Sequence, residues 1–208
     1  MCDASHRPAG LRDALASLGL YNTLAGVLHS PQPGGVQWEA AWRLCRWEED
    51  GGPGVARGVG EGGLQQHVFG ALRCLHHQDL QALHQHTTTA RRTITHTLSL
   101  GRAESTSLVQ PILTKLQVLN EIEEAAQCLA HLTSPERVRG CALDLEAGWR
   151  AKEDMGCVKY KHKEEVMAAR VSILKALTGG CQEELQGILH RTLVGVGGCV
   201  CVCVRECV

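Results

Sequence analysis

Aromatic residues make up only 3% of this chain: one Phe, two Tyr and four Trp. β-branched runs are equally scarce, while Leu and Ala dominate the periodic segments. A sheet protein would need the missing β-branched and aromatic residues, so the composition predicts an all-α fold. Charge of one sign is also lacking. Lys and Arg number 21 against 22 Asp and Glu, for a net charge of -1, which excludes a general electrostatic pull toward nucleic acid or acidic lipid. No apolar run reaches membrane-spanning length, and MCDASHRPAGLRDAL carries no basic-then-apolar leader, so the chain is expected to be intracellular.

Catalytic signatures are missing as well. There is no nucleophile elbow, HExxH, Walker loop or paired CxxC, and no protein kinase HRD or DFG motif. The spaced glycines Gly58, Gly60 and Gly62 are followed by no Gly-Lys-Ser/Thr and preceded by no hydrophobic strand, so they do not form a phosphate loop. The expectation is a chain without catalytic, cofactor-binding or metal-ligating residues.

What is present is concentrated. Val36 to Glu49 (VQWEAAWRLCRWEE) holds three of the four tryptophans. Trp38 and Trp42 lie four apart and share a helical face, with Ala41 and Cys45 beside them; Trp47 follows. Rings bury more area than any other side chain, so this stretch is expected to organise the local packing. The expected structural core is Trp38, Trp42, Trp47, Leu116, Leu145, Trp149 and Ile173.

Around it, helical periods recur. Leu11, Leu15 and Leu18 mark a first helix ending at Gly19, and Tyr21–His29 a second, stopped by Pro31–Gly35. Leu64 to Leu83 is periodic; Thr87–Thr97 is weakly patterned, open to helix in context although its β-branched threonines lower the odds. From Ser107 to Leu132 a stripe of Leu108, Ile112, Leu113, Leu116, Leu119, Ile122, Ala126 and Leu129 predicts a long helix, with Pro111 tolerated near its start. Ser134-Pro135-Glu136 is a helix start, and Cys141, Ala142, Leu145 and Trp149 supply the next apolar face. Ala151–Lys163 is charged and expected to be a loop. Helices are predicted over Glu164–Leu177 and Gln182–Leu193. Short turns between so many helices predict antiparallel pairs stacked as an α-solenoid, although no strict repeat is visible.

Three segments fall outside this pattern. Residues 1–9 are expected to be disordered. Residues 50–63 (DGGPGVARGVGEGG) contain seven glycines and one proline, too little apolar surface to offset the entropy of ordering, and predict a flexible loop. Residues 194–208 collapse into alternating Val and Cys, ending VGVGGCVCVCVRECV. Four of the eleven cysteines (Cys199, Cys201, Cys203 and Cys207) lie there. Their spacing is not that of a zinc finger. A GT dinucleotide repeat encodes Val and Cys in any frame, and a GT-initial codon directly after Leu193 is how a read-through intron begins, so the tail is expected to be intron-encoded. The alternative for it is a thiolate metal or redox site.

Among polar clusters, His76, His77, His84 and His86 are the densest. On one continuous helix His77 and His84 share a face, but further ligands are wanting and a solvated face is expected. Arg91-Arg92 and Lys159, Lys161 and Lys163 are expected to be solvated surface rather than a nucleic-acid contact.

The blocks GLRDALASLGL, WEAAWRLCRWEED and LNEIEEAAQCL, in order with SPERVRG, EEVMAARVSILKAL and CQEELQGILHRTL, resemble the FAT domain of the phosphatidylinositol 3-kinase-related protein kinases. The AAWR block with its following RW is the most specific, and Gly10–Leu193 takes in nearly nine-tenths of the chain. The resemblance implies a partial FAT helical-repeat domain over residues 10–193 that clasps a kinase domain lying C-terminal to it. It further implies a nuclear serine/threonine kinase as parent, dimeric, activated with DNA-damage sensor proteins at double-strand breaks, and using ATP and a divalent metal. None of its catalytic residues falls within this segment. The family's preferred Ser-Gln and Thr-Gln targets do not occur here. A different class of function, a stand-alone helical adaptor for partner proteins, fits the same helical pattern.

Overall fold

The computed structural model describes residues 7–27, 35–47, 63–100, 106–130, 135–153 and 160–178. Eight α-helices and no strands occur among them: α1 (Arg7–Ser17), α2 (Tyr21–Val27), α3 (Gly35–Arg43), α4 (Gly63–His76), α5 (Leu80–Leu100), α6 (Thr106–Ala130), α7 (Pro135–Glu153) and α8 (Tyr160–Thr178). The fold is all-α, of helix pairs stacked as in the helical solenoid expected. None of these helices is long and apolar enough to cross a membrane. The expected 50–63 loop, except Gly63, the Gln182–Leu193 helix and the Val–Cys tail all lie outside the described residues.

Directions follow from the side-chain contacts. The α4–α5 hairpin turns within three residues and has the most extensive interhelical contact. Along α6 and α8, Lys115 meets Glu165 and Glu121 meets Arg170, so the register advances together and the two helices run parallel. Between α6 and α7, Glu124 meets Lys152 while Cys128 meets Cys141, so those helices run antiparallel. Parallel packing of every second helix is the signature of stacked pairs. α8 also touches α4 and α3, closing the stack more tightly than a linear array.

Three helices end in the same way. At α1, Leu20 N–H donates to Leu15 O and Gly19 N–H to Ala16 O; at α3, Arg46 to Ala41 and Cys45 to Trp42; at α4, Asp79 to Cys74 and Gln78 to Leu75. These are Schellman closures, each needing a left-handed residue at the pivot. Gly19 takes it at φ 72°, but Cys45 at φ 54° and Gln78 at φ 60° do so without being glycine. Asp79 then caps α5, its carboxylate accepting from Ala82 N–H at 3.0 Å.

Several expectations change. Arg7–Ala9, expected to be disordered, are helical. Leu11 and Leu18 are 50% and 69% exposed and Leu18 lies past the end of α1, so of the three leucines Leu15 alone is half-buried. The tryptophan helix stops at Arg43, and Trp47 is reached through the left-handed turn at Cys45 rather than along the helix. Thr87–Thr97 takes the helical option left open by its pattern and lies inside an unbroken α5, its hydroxyls bonded back to the preceding turn: Thr89 to Gln85 O, Thr93 to Thr89 O, Thr95 to Arg91 O and Thr97 to Thr93 O. Leu113 is exposed; Leu116 is half-buried against the core. Ala151–Glu153 and Tyr160–Lys163 extend α7 and α8 into what was expected to be loop.

The most enclosed helix is α8. Val166, Met167, Ala169, Arg170, Val171, Ser172, Ile173, Leu174, Ala176 and Leu177 are all buried, so it is covered all round, as befits a central helix.

Candidate functional site

Two groups of side chains that fix one helix against another converge on α8. The first is built on α3. Trp38, Trp42 and Trp47 are buried, with Phe69 of α4 between two of them: ring centroids are 5.2 Å from Trp38 and 6.0 Å from Trp47. Such tilted pairs gain from the ring quadrupoles beyond the area they bury. Trp42 Nε1–H donates to Gln65 Oε1 of α4 at 3.0 Å, and its carbonyl accepts from Ser172 Oγ of α8 at 3.0 Å. One residue therefore ties three helices.

Beside it, Arg43 fans out between carboxylates. Nε–H donates to Glu39 Oε1 at 3.0 Å, while both terminal nitrogens hold Glu164 of α8. Tyr21 of α2 donates its hydroxyl to the same Glu39 oxygen at 3.0 Å and lies under the guanidinium, 4.6 Å from ring centroid to Cζ. Burial works against the Arg43 charge, yet Glu164, with Tyr21 and Glu39, holds its proton more tightly than usual. Burial likewise drives the Tyr21 hydroxyl well above the ordinary phenol range, against the pull of Arg43. Tyr21 is thus a neutral donor, Arg43 a fixed cation, and α2, α3 and α8 share one charge network.

The second group joins α6, α7 and α8. Arg170 holds Glu121 in a fork, Nε–H to Oε2 and Nη2–H to Oε1, both at 2.9 Å. The Trp149 ring of α7 covers the guanidinium at 5.2 Å. Leu145 and Ile173 are buried nearby in the same core. The indole N–H groups of Trp38 and Trp149 are buried with no acceptor among the described residues. The Cys141 thiol, buried and hydrogen-bonded to the free Cys128 thiol, is pushed up to about 12 and is an inert thiol at neutral pH.

The histidines are dispersed. The α4–α5 turn separates His77 from His84, so they share no helix face. His76 stacks on Trp47 at 6.2 Å and lies 3.4 Å from the Ala176 carbonyl. His84 is exposed, whereas His86 turns back toward His67 of α4, a partner the sequence clustering leaves out. The signal for it lies in the turn: with Gln78 as pivot, the hairpin brings the two positions together. Among the described residues, no three or more His, Cys, Asp or Glu side chains are placed to hold a metal ion.

Of the basic pairs, Arg91 bonds Glu123 of α6, Nη2–H to Oε2 at 2.6 Å, and Arg92 is exposed beside it. Lys159 lies outside the described residues, and Lys161 and Lys163 belong to α8. Nothing in this arrangement pairs a nucleophile with a base. What it does is hold helices in register through buried charges and rings.

The FAT domain family matches residues 36–190, from the tryptophan helix to beyond α8. The chain is also 24% identical over 205 residues to the serine-protein kinase ATM of Sus scrofa, an alignment covering 92% of this chain and 6% of that one. It therefore spans a small part of the length of this curated relative. With the family match running over most of its residues, the chain belongs to the FAT domain family.

Proposed function

We propose that this chain is a non-catalytic scaffold segment of an ATM-like serine/threonine protein kinase acting in the response to DNA double-strand breaks. The FAT match over residues 36–190 carries the proposal. The segment positions a kinase domain that lies C-terminal to it, and that domain supplies the catalysis, with ATP and a divalent metal. Its partners are that kinase domain, a second copy of the parent and DNA-damage sensor proteins, in the nucleus and to some extent the cytoplasm. It makes no direct contact with nucleic acid or membrane.

Buried forks such as Arg170–Glu121 and the Arg43 network suit this role. They are expensive to break, so displacement at one end of the stack moves whole helices rather than single side chains. Trp38, Trp42, Trp47, Leu145, Trp149 and Ile173, with Leu116 at the margin, act as packing elements in this scheme. Residues 10–193 form the partial FAT unit, and the Val–Cys tail 194–208 is read-through sequence.

The test is the transcript across the codons for Leu193 and Val194. Reads that splice from Leu193 into further helical sequence and then a kinase domain are expected. Reads that run through the Val–Cys repeat to a stop overturn the proposal and leave a stand-alone helical adaptor.

A further inference from the structure

His67 and His86 face one another across the α4–α5 hairpin. Their Nδ1 atoms stand 3.4 Å apart, with ring centroids at 5.7 Å and planes at 50°. The His86 ring lies on bare backbone at Gly70. A Cβ there would stand 2.6 Å from His86 Cε1 and 2.7 Å from Nδ1, so the missing side chain of Gly70 makes the niche that seats the ring. Burial holds both imidazoles below their ordinary proton affinity, and for His67 the neighbouring His86 adds to it. Burial thus favours the neutral form of each ring, in which one ring nitrogen keeps a lone pair.

Two nitrogens bound to one tetrahedral zinc, each at about 2.0–2.1 Å, stand about 3.3–3.4 Å from one another. The observed 3.4 Å, within reach of an N–H···N bond between the rings, also matches that bite. We propose that His67 and His86 form a two-histidine site for a zinc-type divalent transition metal, bound through both Nδ1 atoms with water completing its shell. The metal clamps α4 to α5. Without it, one ring donates its Nδ1 proton to the other; on binding, the donor ring carries its proton at Nε2 instead, and no net proton is released. Imidazole and water donors favour zinc, copper or nickel over the hard cations. A site with two protein ligands is exchangeable, unlike a closed four-ligand structural site.

The eleven cysteines of the chain compete for such metals, so the probe must distinguish ligands. Co²⁺ does so: imidazole and water give weak visible bands, whereas thiolates add an intense near-ultraviolet charge-transfer band. The full chain, His67→Gln, His86→Gln and Gly70→Ala are titrated with Co²⁺ at neutral pH under reducing conditions, with circular dichroism to establish folding. The full chain is expected to bind one equivalent more than either His→Gln variant, without added thiolate absorption. Gly70→Ala, which keeps both rings but displaces one, is expected to bind that equivalent more weakly. Equal stoichiometry in the full chain and the folded His→Gln variants overturns the proposal. Imidazole NMR of the unsubstituted protein decides independently of any variant's folding. Paramagnetic broadening of His67 and His86 ahead of the other histidines is expected, and uniform or absent broadening overturns the site.

Discussion

Arg170 and Glu121 bind each other through two hydrogen bonds of 2.9 Å with both side chains withdrawn from water, 2% and 0% exposed. Desolvating two charges costs several kcal/mol per ion, which such a pair recovers only through good geometry. The fork supplies it, and the Trp149 face adds a cation–π contact. The pair therefore does less for net stability than for register: it fixes where α6 sits along α8. Glu121→Ala takes the forked carboxylate away from a buried guanidinium and is expected to destabilise by about 3–5 kcal/mol in urea unfolding. Replacing both residues together, Glu121→Leu with Arg170→Met, is expected to be near neutral or better. If the double substitution costs as much as the single one, the fork is a source of stability rather than of register.

Trp42 combines burial, an indole bond to Gln65 and a carbonyl bond from Ser172. Trp42→Ala removes the ring and leaves a cavity, for an expected loss of about 3–5 kcal/mol. Trp42→Phe keeps much of the ring but leaves Gln65 without its donor, so a smaller loss is expected, part of it the roughly 1 kcal/mol of a net hydrogen bond. A urea midpoint unchanged in Trp42→Ala would show that the three-helix tie does not hold the core.

Helical class, the buried tryptophans and the apolar face of α7 were legible because each rests on a local period or on ring size. Cys141, Ala142, Leu145 and Trp149 are all buried. What was not legible depends on residues breaking a local preference. Gln78 and Cys45 occupy left-handed positions that glycine signals and other residues do not, so the α4–α5 turn and the end of α3 carry no local signal. Without a turn signal at Gln78, the sequence pattern puts His84 with His77 and does not bring His67 to His86. Arg170 and Glu121 lie in patterns that assign charge to solvent; only tertiary packing shows that each buries the other. Leu11 and Leu18 err in the opposite direction, having the period of a buried face without being buried.

The His67–His86 pair makes stability depend on pH in a definite direction. Both folded imidazoles hold protons less tightly than the ordinary value of 6.5. As pH falls through that value, the unfolded chain takes up protons first, so the folded state loses ground. The pair's contribution is complete above about pH 6.5 and declines as pH falls toward the depressed folded values. With chelator present, the urea midpoint is expected to drop more between pH 7.5 and 5.5 in the unsubstituted protein than in His67→Gln/His86→Gln. Parallel curves for the two proteins would remove the pair from the acid response.

Gly70 separates two opposing effects. Glycine inside a helix costs roughly 0.5–1 kcal/mol relative to alanine, so Gly70→Ala should stabilise α4 on backbone grounds alone. The His86 ring, however, occupies the space the new methyl would take. Gly70→Ala is expected to be neutral or destabilising in the natural background and to gain that backbone increment when combined with His86→Ala. The double-mutant cycle measures the difference as a coupling between residues 70 and 86. Absence of coupling would place the ring elsewhere.

The left-handed pivots give the last prediction. Gln78 is exposed at φ 60°, closing α4 through bonds from its own N–H to Leu75 O and from Asp79 N–H to Cys74 O. For an L-residue with a side chain, that conformation costs roughly 1–2 kcal/mol, a penalty glycine escapes. Glycine also loses more freedom on folding, which takes back part of the gain. Because the Gln78 side chain is exposed, little packing is lost, and Gln78→Gly is expected to raise the urea midpoint by the equivalent of about 1 kcal/mol. Cys45 at φ 54° is the control. Its thiol packs against the core and lies 3.8 Å from Ser172 Oγ, so Cys45→Gly relieves the same strain while losing contacts that Gln78 does not make. A gain at residue 78 larger than at residue 45 separates backbone strain from packing; equal gains would mean that the Cys45 contacts contribute nothing.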